Sequence, residues 1–275
     1  MGTVGLVISH LFALPSPRLR RLAGTADMWS FRCLPPPAWL SGPQRRSFHW
    51  GLGPVLSDFS KAFIREGLER TLNEYEMELF SFDLGPSARN HQGVLPLSRP
   101  LGQSAIRRYT EAALKLVRRY FNGPLAAENY NFYPTGFYRH VTEPDFIEKF
   151  LKEFDLGLVL DLAHAAVTAH NVGLNLNDYL EALPLERTTE IHISSPWLPG
   201  VPGLMAVDSH GSPGKREWKW LENLFKSERL PMGTPVFVEY YQDLSKLEKA
   251  QRCLGEIMPG LRPASDGENG MISQR

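Results

Sequence analysis

Eight short apolar runs recur along the chain, separated by longer amphipathic stretches, and this alternation restricts the folds open to it. The runs are Val4–Ser9, Trp29–Cys33, Ser47–Trp50, Glu78–Phe82, Pro124–Glu128, Gly157–Asp161, Glu190–Ile193 and Pro235–Glu239. Each has the length and character of a buried strand. Between them, helical patterns span Ser57–Tyr75, Ser104–Phe121, Glu143–Phe154, Asn177–Leu183, Lys215–Phe225 and Leu244–Ile257. The third of these has Thr142 as its expected N-cap and Pro144 in its first turn. Strand followed by helix, repeated, specifies a parallel sheet with helices outside. Eight strands in one unbroken array predict closure into an α/β fold of the (β/α)8 TIM-barrel type. The N-terminal quarter is degenerate. Pro35-Pro36-Pro37 and the scarcity of helical pattern between Leu34 and Arg46 leave one outer helix missing or replaced by loop.

A barrel of about 250 residues fits the 275-residue chain as one unit. Residues 1–259 are expected to form a single metal-binding barrel domain. The segment 260–275, rich in Gly, Pro, Ser and charge, reads as a flexible C-terminal tail. Thirty basic residues balance thirty acidic ones, which argues against a nucleic-acid partner. No window approaches the roughly 18 apolar residues of a membrane span. The apolar stretch Val4–Leu14 is followed, not preceded, by Arg18, Arg20 and Arg21, so it reads as a first strand plus loop and not as a secretory signal. Two cysteines, Cys33 and Cys253, cannot build a disulfide framework or a four-thiolate zinc site. A reducing, cytoplasmic setting is expected.

Ionisable residues terminate most of the strands. Phe48 is followed by His49, Phe82 by Asp83, Ala127 by Glu128, Leu160 by Asp161, Ile191 by His192 and Val238 by Glu239. In a parallel barrel these ends share one rim, where barrel active sites form. Burying them there without partners is very costly, and bound cations satisfy them. Asp161 and His164 can bracket an ion from a strand end and the next turn. Asp208 and His210 stand two apart, on one side of an extended segment, with Gly211 allowing a sharp turn. The candidate metal shell is therefore His49, Asp83, Glu128, Asp161, His164, His192, Asp208, His210 and Glu239. Nine ligands suit two or three ions, and mixed imidazole and carboxylate donors suit iron, zinc or manganese. Taken singly, Asp83 or Asp161 is as readily a helix N-cap, and a lone strand-end His a hydrogen-bonded core residue. Repetition at equivalent positions favours metal. Asn129 and Asn131, directly after Glu128, are candidate substrate contacts. His10, His91, His140 and His170 follow no comparable strand end. Trp218 and Trp220 read as packing, and Lys115, Arg118 and Arg119 as a solvated helix face.

Glu128-Asn129, Leu160-Asp161 with His164, Glu190-Ile191-His192, Asp208-Ser209-His210-Gly211 and the strand-end Glu239 together resemble the multinuclear non-heme iron-dependent oxidases. That group is typified by the oxidase of methanobactin biosynthesis and has a xylose-isomerase-like barrel. The segment Tyr179–Arg187 is also similar, and Phe48-His49-Trp50-Gly51 resembles an early His-Gly segment of the family. The likeness is good from about Gly123 to Leu254. Three departures stand out. Ser81-Phe82-Asp83-Leu84 replaces Ser-Asp-His-Leu, so Asp83 takes the place of a histidine. His164 stands where the family often has Asn. Ser194-Ser195-Pro196 replaces Ala-Gly-His. The resemblance implies an oxidase with two or three iron ions of mixed valence, using dioxygen to modify a residue, usually Cys, of a ribosomally made precursor peptide. It also implies a separate protein that delivers the peptide, and Asp208, His210 and Glu128 as catalytic residues. The same rim serves a divalent-metal sugar isomerase or a phosphodiesterase, and a metal-free peptide-binding barrel is a third reading.

Overall fold

The computed structural model describes residues 2–32, 35–56, 58–89, 99–201 and 203–260. Cys33, Ser57, His91 and the expected tail from residue 261 onwards lie outside the described residues. Eight strands close into a barrel: β1 (Thr3–Ile8), β2 (Met28–Phe31), β3 (Arg45–Trp50), β4 (Leu79–Asp83), β5 (Leu125–Glu128), β6 (Gly157–Asp161), β7 (Thr188–Ile193) and β10 (Pro235–Val238). Their order around the barrel is β1-β10-β7-β6-β5-β4-β3-β2, and every neighbouring pair is parallel. Each apolar run read from the sequence is one of these strands, displaced by at most two residues at either end. The connection after β7 carries a short antiparallel hairpin, β8 (Ser195–Trp197) with β9 (Val207–Gly211), outside the barrel ladder.

Outside lie α1 (Pro17–Gly24), α2 (Phe59–Arg65), α3 (Leu68–Glu74), α4 (Gln103–Val117), α5 (Pro144–Glu153), α6 (Leu162–Val172), α7 (Leu176–Ala182), α8 (Lys215–Lys226) and α9 (Leu244–Ile257). Among the described residues no helix joins β2 to β3, in line with the proline-rich sequence there. Three local expectations change. The stretch from Ser57 to Tyr75 is two helices, because Gly67 adopts a left-handed φ of 69° between them. Thr142 does not cap α5: its hydroxyl donates to the Tyr138 carbonyl, and Glu143 occupies the N-cap position. The first quarter holds α1, which begins on Ser16, whose Oγ accepts the Leu19 N–H at 3.1 Å, followed by Pro17.

The main core fills the space between strands and helices, where Phe48 and Phe80 stack at 6.1 Å and Trp50 packs on Phe59 and Phe63. Inside the barrel, two small apolar clusters, Leu79–Ala126–Val159 and Val7–Met28–Phe237, form the floor. Gly5 makes room for that floor, since a Cβ there would sit 2.3 Å from the Phe237 ring. Side chains alternate along each strand, so residues two apart share a face. Register then sets heights: Asp83 pairs with Glu128, and Asp161 with His192. Those four strand ends therefore face inward at neighbouring points of one rim.

Candidate metal centre

All nine sequence-predicted ligands meet at this rim, in three groups. Glu128, Asp161, His192 and Glu239 form the first, His49, Asp83 and Glu128 the second, and His164, Asp208 and His210 the third. Within each group one donor atom per residue lies within 4.8 Å of the others, a separation that a shared ion can span. Glu128, at the end of β5, belongs to two groups. Its Oε1 is 2.8 Å from His192 Nδ1 and its Oε2 is 2.9 Å from His49 Nε2. Glu239, just past β10, approaches the same His192 nitrogen at 3.4 Å. Asp83 Oδ1 lies 3.1 Å from His49 Nε2, which puts the aspartate beside the imidazole of the second group. In the third group, Asp208 Oδ2 sits 3.3 Å from His164 Nε2 and 2.9 Å from His210 Nδ1.

Several neighbours fix which imidazole nitrogen faces the group. His164 Nδ1 lies 2.8 Å from the Asn129 carbonyl, which can only accept, so the proton sits there and Nε2 is left as donor. His49 Nδ1 contacts Ser81 Oγ at 3.0 Å, again leaving Nε2 toward the carboxylates. Asp161 does two jobs with two oxygens. Its Oδ1 caps α6 by accepting the His164 N–H at 2.7 Å, while its buried Oδ2 has no hydrogen-bond partner. Capping and ligation are thus compatible in one residue, and the orphaned oxygen is the position a cation would satisfy. Asp83 begins no helix.

Asn129, expected as a substrate contact, is placed otherwise. It is fully buried, and its amide is taken up by the backbone of Asp161, donating to the carbonyl at 3.0 Å and accepting the N–H at 2.8 Å. It clasps two strand ends together. Asn131 lines the open cavity above the groups, which has a volume of about 460 Å³. The cavity is also lined by Tyr130, within the segment after Glu128 that the sequence marks for substrate contact, and by His10, which stands just past β1 although no role was read for it from the sequence. Arg32 and Tyr241, neither singled out from the sequence, complete this wall. Arg32 stands inside an apolar run, and Tyr241 is two residues past Glu239; both positions carry a signal. Arg32 donates to Ser30 Oγ at 2.8 Å and approaches Glu239 at 3.5 Å, and Tyr241 donates its hydroxyl proton to Glu239. His170 and Asn171, near the end of α6, hold the hairpin: His170 bonds the Leu204 carbonyl at 3.0 Å, and Asn171 exchanges bonds with the backbone of Ala206.

The electrostatics follow from crowding buried carboxylates around imidazoles. Burial pushes Asp161 up to about 7, with Glu128, Glu239 and Asp208 adding to the rise and His164 opposing it. Burial and the Arg32 charge would lower His192, but Glu128, with Glu190 on the other side of the ring, more than offsets them and carries the imidazole up to about 10. His210 rises to about 9 against burial, chiefly through its hydrogen bond to Asp208. Burial would raise Glu239, yet Arg32 and His192 hold it down at about 2. Without cations, protons on imidazole supply the positive charge that these carboxylates require.

Comparison with known proteins places this arrangement. The profile of the family described as RiPP precursor modification enzyme MbnB/TglH/ChrH matches residues 57–258. A UPF0276 protein of Pseudomonas aeruginosa is 26% identical over 195 residues, covering 67% of this chain and 66% of that protein. The matched region thus spans about two thirds of that relative's length. Among solved structures, endonuclease IV from Thermus thermophilus aligns with a TM-score of 0.63 at 16% identity, covering 94% of this chain and 99% of that one. A xylose isomerase domain protein from Planctomyces limnophilus aligns with a TM-score of 0.62 at 14% identity, covering 94% and 96%. At such identities the two structures establish a shared xylose-isomerase-like barrel.

Proposed function

The chain belongs to the RiPP precursor modification family MbnB/TglH/ChrH, and from that premise we propose that it is a multinuclear iron-dependent oxidase. Its substrate is a residue, Cys by the family resemblance, of a ribosomally made precursor peptide, and its oxidant is dioxygen. A separate protein delivers the peptide, and the reaction takes place in the cytoplasm. The observation that carries this reading is the set of three donor groups, two of them sharing Glu128, with the unpartnered oxygen of Asp161 among them. Imidazole and carboxylate donors without thiolate suit iron, with zinc or manganese as the other cations of that preference.

The chain's own residues divide the work. Bound iron would supply the redox chemistry toward dioxygen that no side chain here provides. Glu128, whose two oxygens enter two groups, would supply a ligand to each. Asp208 and His210 reach the cavity from the hairpin, and with Glu128 they face the space a peptide side chain would enter. Asn131, Tyr130 and Tyr241 wall that space, and Asn129 keeps Asp161 aimed inward. Tyr241 keeps its proton, burial and then the Glu239 charge raising it well above an ordinary phenol, so it remains a donor to Glu239.

Anaerobic purification, metal analysis and Mössbauer spectroscopy test the reading. Two or more irons per chain are expected. Zinc alone would point to the isomerase or phosphodiesterase chemistry of the same barrel, and a chain that takes up no metal would point to a peptide-binding barrel.

A further inference from the structure

Glu190 is the buried carboxylate for which this reading has no use. It is completely buried, and neither of its oxygens has a hydrogen-bond partner. It lies on β7 in register with Val159 and two residues before His192, so both side chains point into the barrel. At that level Val159 and its neighbours Leu79 and Ala126 line the barrel interior. A carboxylate held there without full hydrogen bonding costs stability unless something compensates for it. The imidazole of His192 stands beside it, with Nε2 3.5 Å from Glu190 Oε2.

His192 is engaged from both sides. Nδ1 faces Glu128 at 2.8 Å and Glu239 at 3.4 Å; Nε2 faces Glu190 at 3.5 Å and Arg32 at 3.1 Å. Arg32 can only donate and Glu190, as a carboxylate, can only accept. If Nδ1 holds an ion, the single proton of a neutral imidazole must sit on Nε2, and a donor such as Arg32 cannot receive it. Glu190 can.

We infer that Glu190 is a positioning residue: it accepts the Nε2 proton of His192, and thereby turns Nδ1 toward the group formed with Glu128, Asp161 and Glu239. The inference rests on the metal-centre reading above. Glu190 touches no ion itself. It acts through His192, as carboxylates behind ligating imidazoles do, where their loss weakens binding by about 10–100-fold.

Cobalt(II), titrated anaerobically into the metal-free full chain against a competing chelator, gives the affinity and the visible spectrum of each binding step. In Glu190→Ala one step is expected to weaken by about 10–100-fold, with a changed cobalt spectrum for that step and the remaining steps unaltered. Glu190→Gln, which keeps the shape and one accepting oxygen, is expected to weaken the same step by a smaller factor. The metal-free Glu190→Gln variant should melt no lower than the metal-free parent, because a poorly paired buried charge has been removed without opening a cavity. Unchanged binding in both variants overturns the inference. So does a parallel weakening of every step with a fall in the metal-free melting temperature, which is what a packing role would give. If Glu190→Ala does not fold, Glu190→Gln decides the matter alone. A parent chain that binds no cobalt removes the metal centre itself, and that outcome is distinct from metal binding insensitive to Glu190.

Discussion

At Glu128 two carboxylate oxygens serve two different groups, so one substitution there acts on both. Glu128→Ala is expected to reduce bound iron by two ions per chain, whereas Asp83→Ala removes one; metal analysis of proteins loaded under identical anaerobic conditions measures the difference. By the same geometry, His192→Ala or Asp208→Ala should lower metal content well below that of His170→Ala. His170 bonds the Leu204 carbonyl, away from the three groups. Equal losses in the three variants would remove the ligand assignment. Six of the nine residues that meet at the rim (His49, Asp83, Glu128, Asp161, His192 and Glu239) were legible because strand ends in a parallel barrel share a rim, whereas His164, Asp208 and His210 were read from their spacing in the loops and helix beyond. Arg32 and Glu190 were less legible for a related reason. They stand within the apolar runs, where a charged residue is easily read as strand noise, although a buried charge in such a run requires a partner. Asn129 looked like a substrate contact from its place after a strand, but only the fold shows its amide spent on Asp161.

At the scale of elements, α6 joins two parts of the site. Its first turn is capped by Asp161 and carries His164, and its last residues hold the hairpin that brings Asp208 and His210. Asn171→Ala would remove bonds to the Phe132 and Ala206 backbone. The expected result is faster proteolysis in the β8–β9 connection and about tenfold weaker binding at the third group, with the fold retained by circular dichroism. In α1, Ser16→Ala should lower stability by about 1 kcal/mol in a denaturant titration, the usual loss of an N-cap. The amphipathic helices α4, α5, α8 and α9 were visible as periodic apolar stripes. The alanine-rich α6 was not, because it is buried from Leu162 to Ala169 and shows no polar face. Likewise α1 has its signal in the Ser16-Pro17 start, not in a long stripe.

For the molecule as a whole, the rim concentrates like charges that the barrel must tolerate when no cation is present. Stripping metal with a chelator should therefore lower the melting temperature, since each ion bound only by the folded chain adds about 2.7 kcal/mol at a hundredfold excess over its dissociation constant. Scanning calorimetry with and without anaerobic iron checks this. Phe80→Ala, at a fully buried ring contacting Phe48, Trp50, Phe63 and Phe82, should cost about 3–5 kcal/mol whether or not metal is present. The barrel topology followed from strand–helix alternation, a pattern spread over the entire chain. The β8–β9 hairpin did not, because its short strands carry exposed apolar side chains such as Trp197 and Val207 and lack a buried face to betray them.

That hairpin belongs to no barrel ladder, yet two of the three donors of the third group stand on its returning strand. Closure of the eight strands brings together the two groups that meet at Glu128, whereas the remaining one depends on how the loop carrying that hairpin lies against α6. Sequence changes in the loop can therefore alter one set of side chains and leave the other two in place.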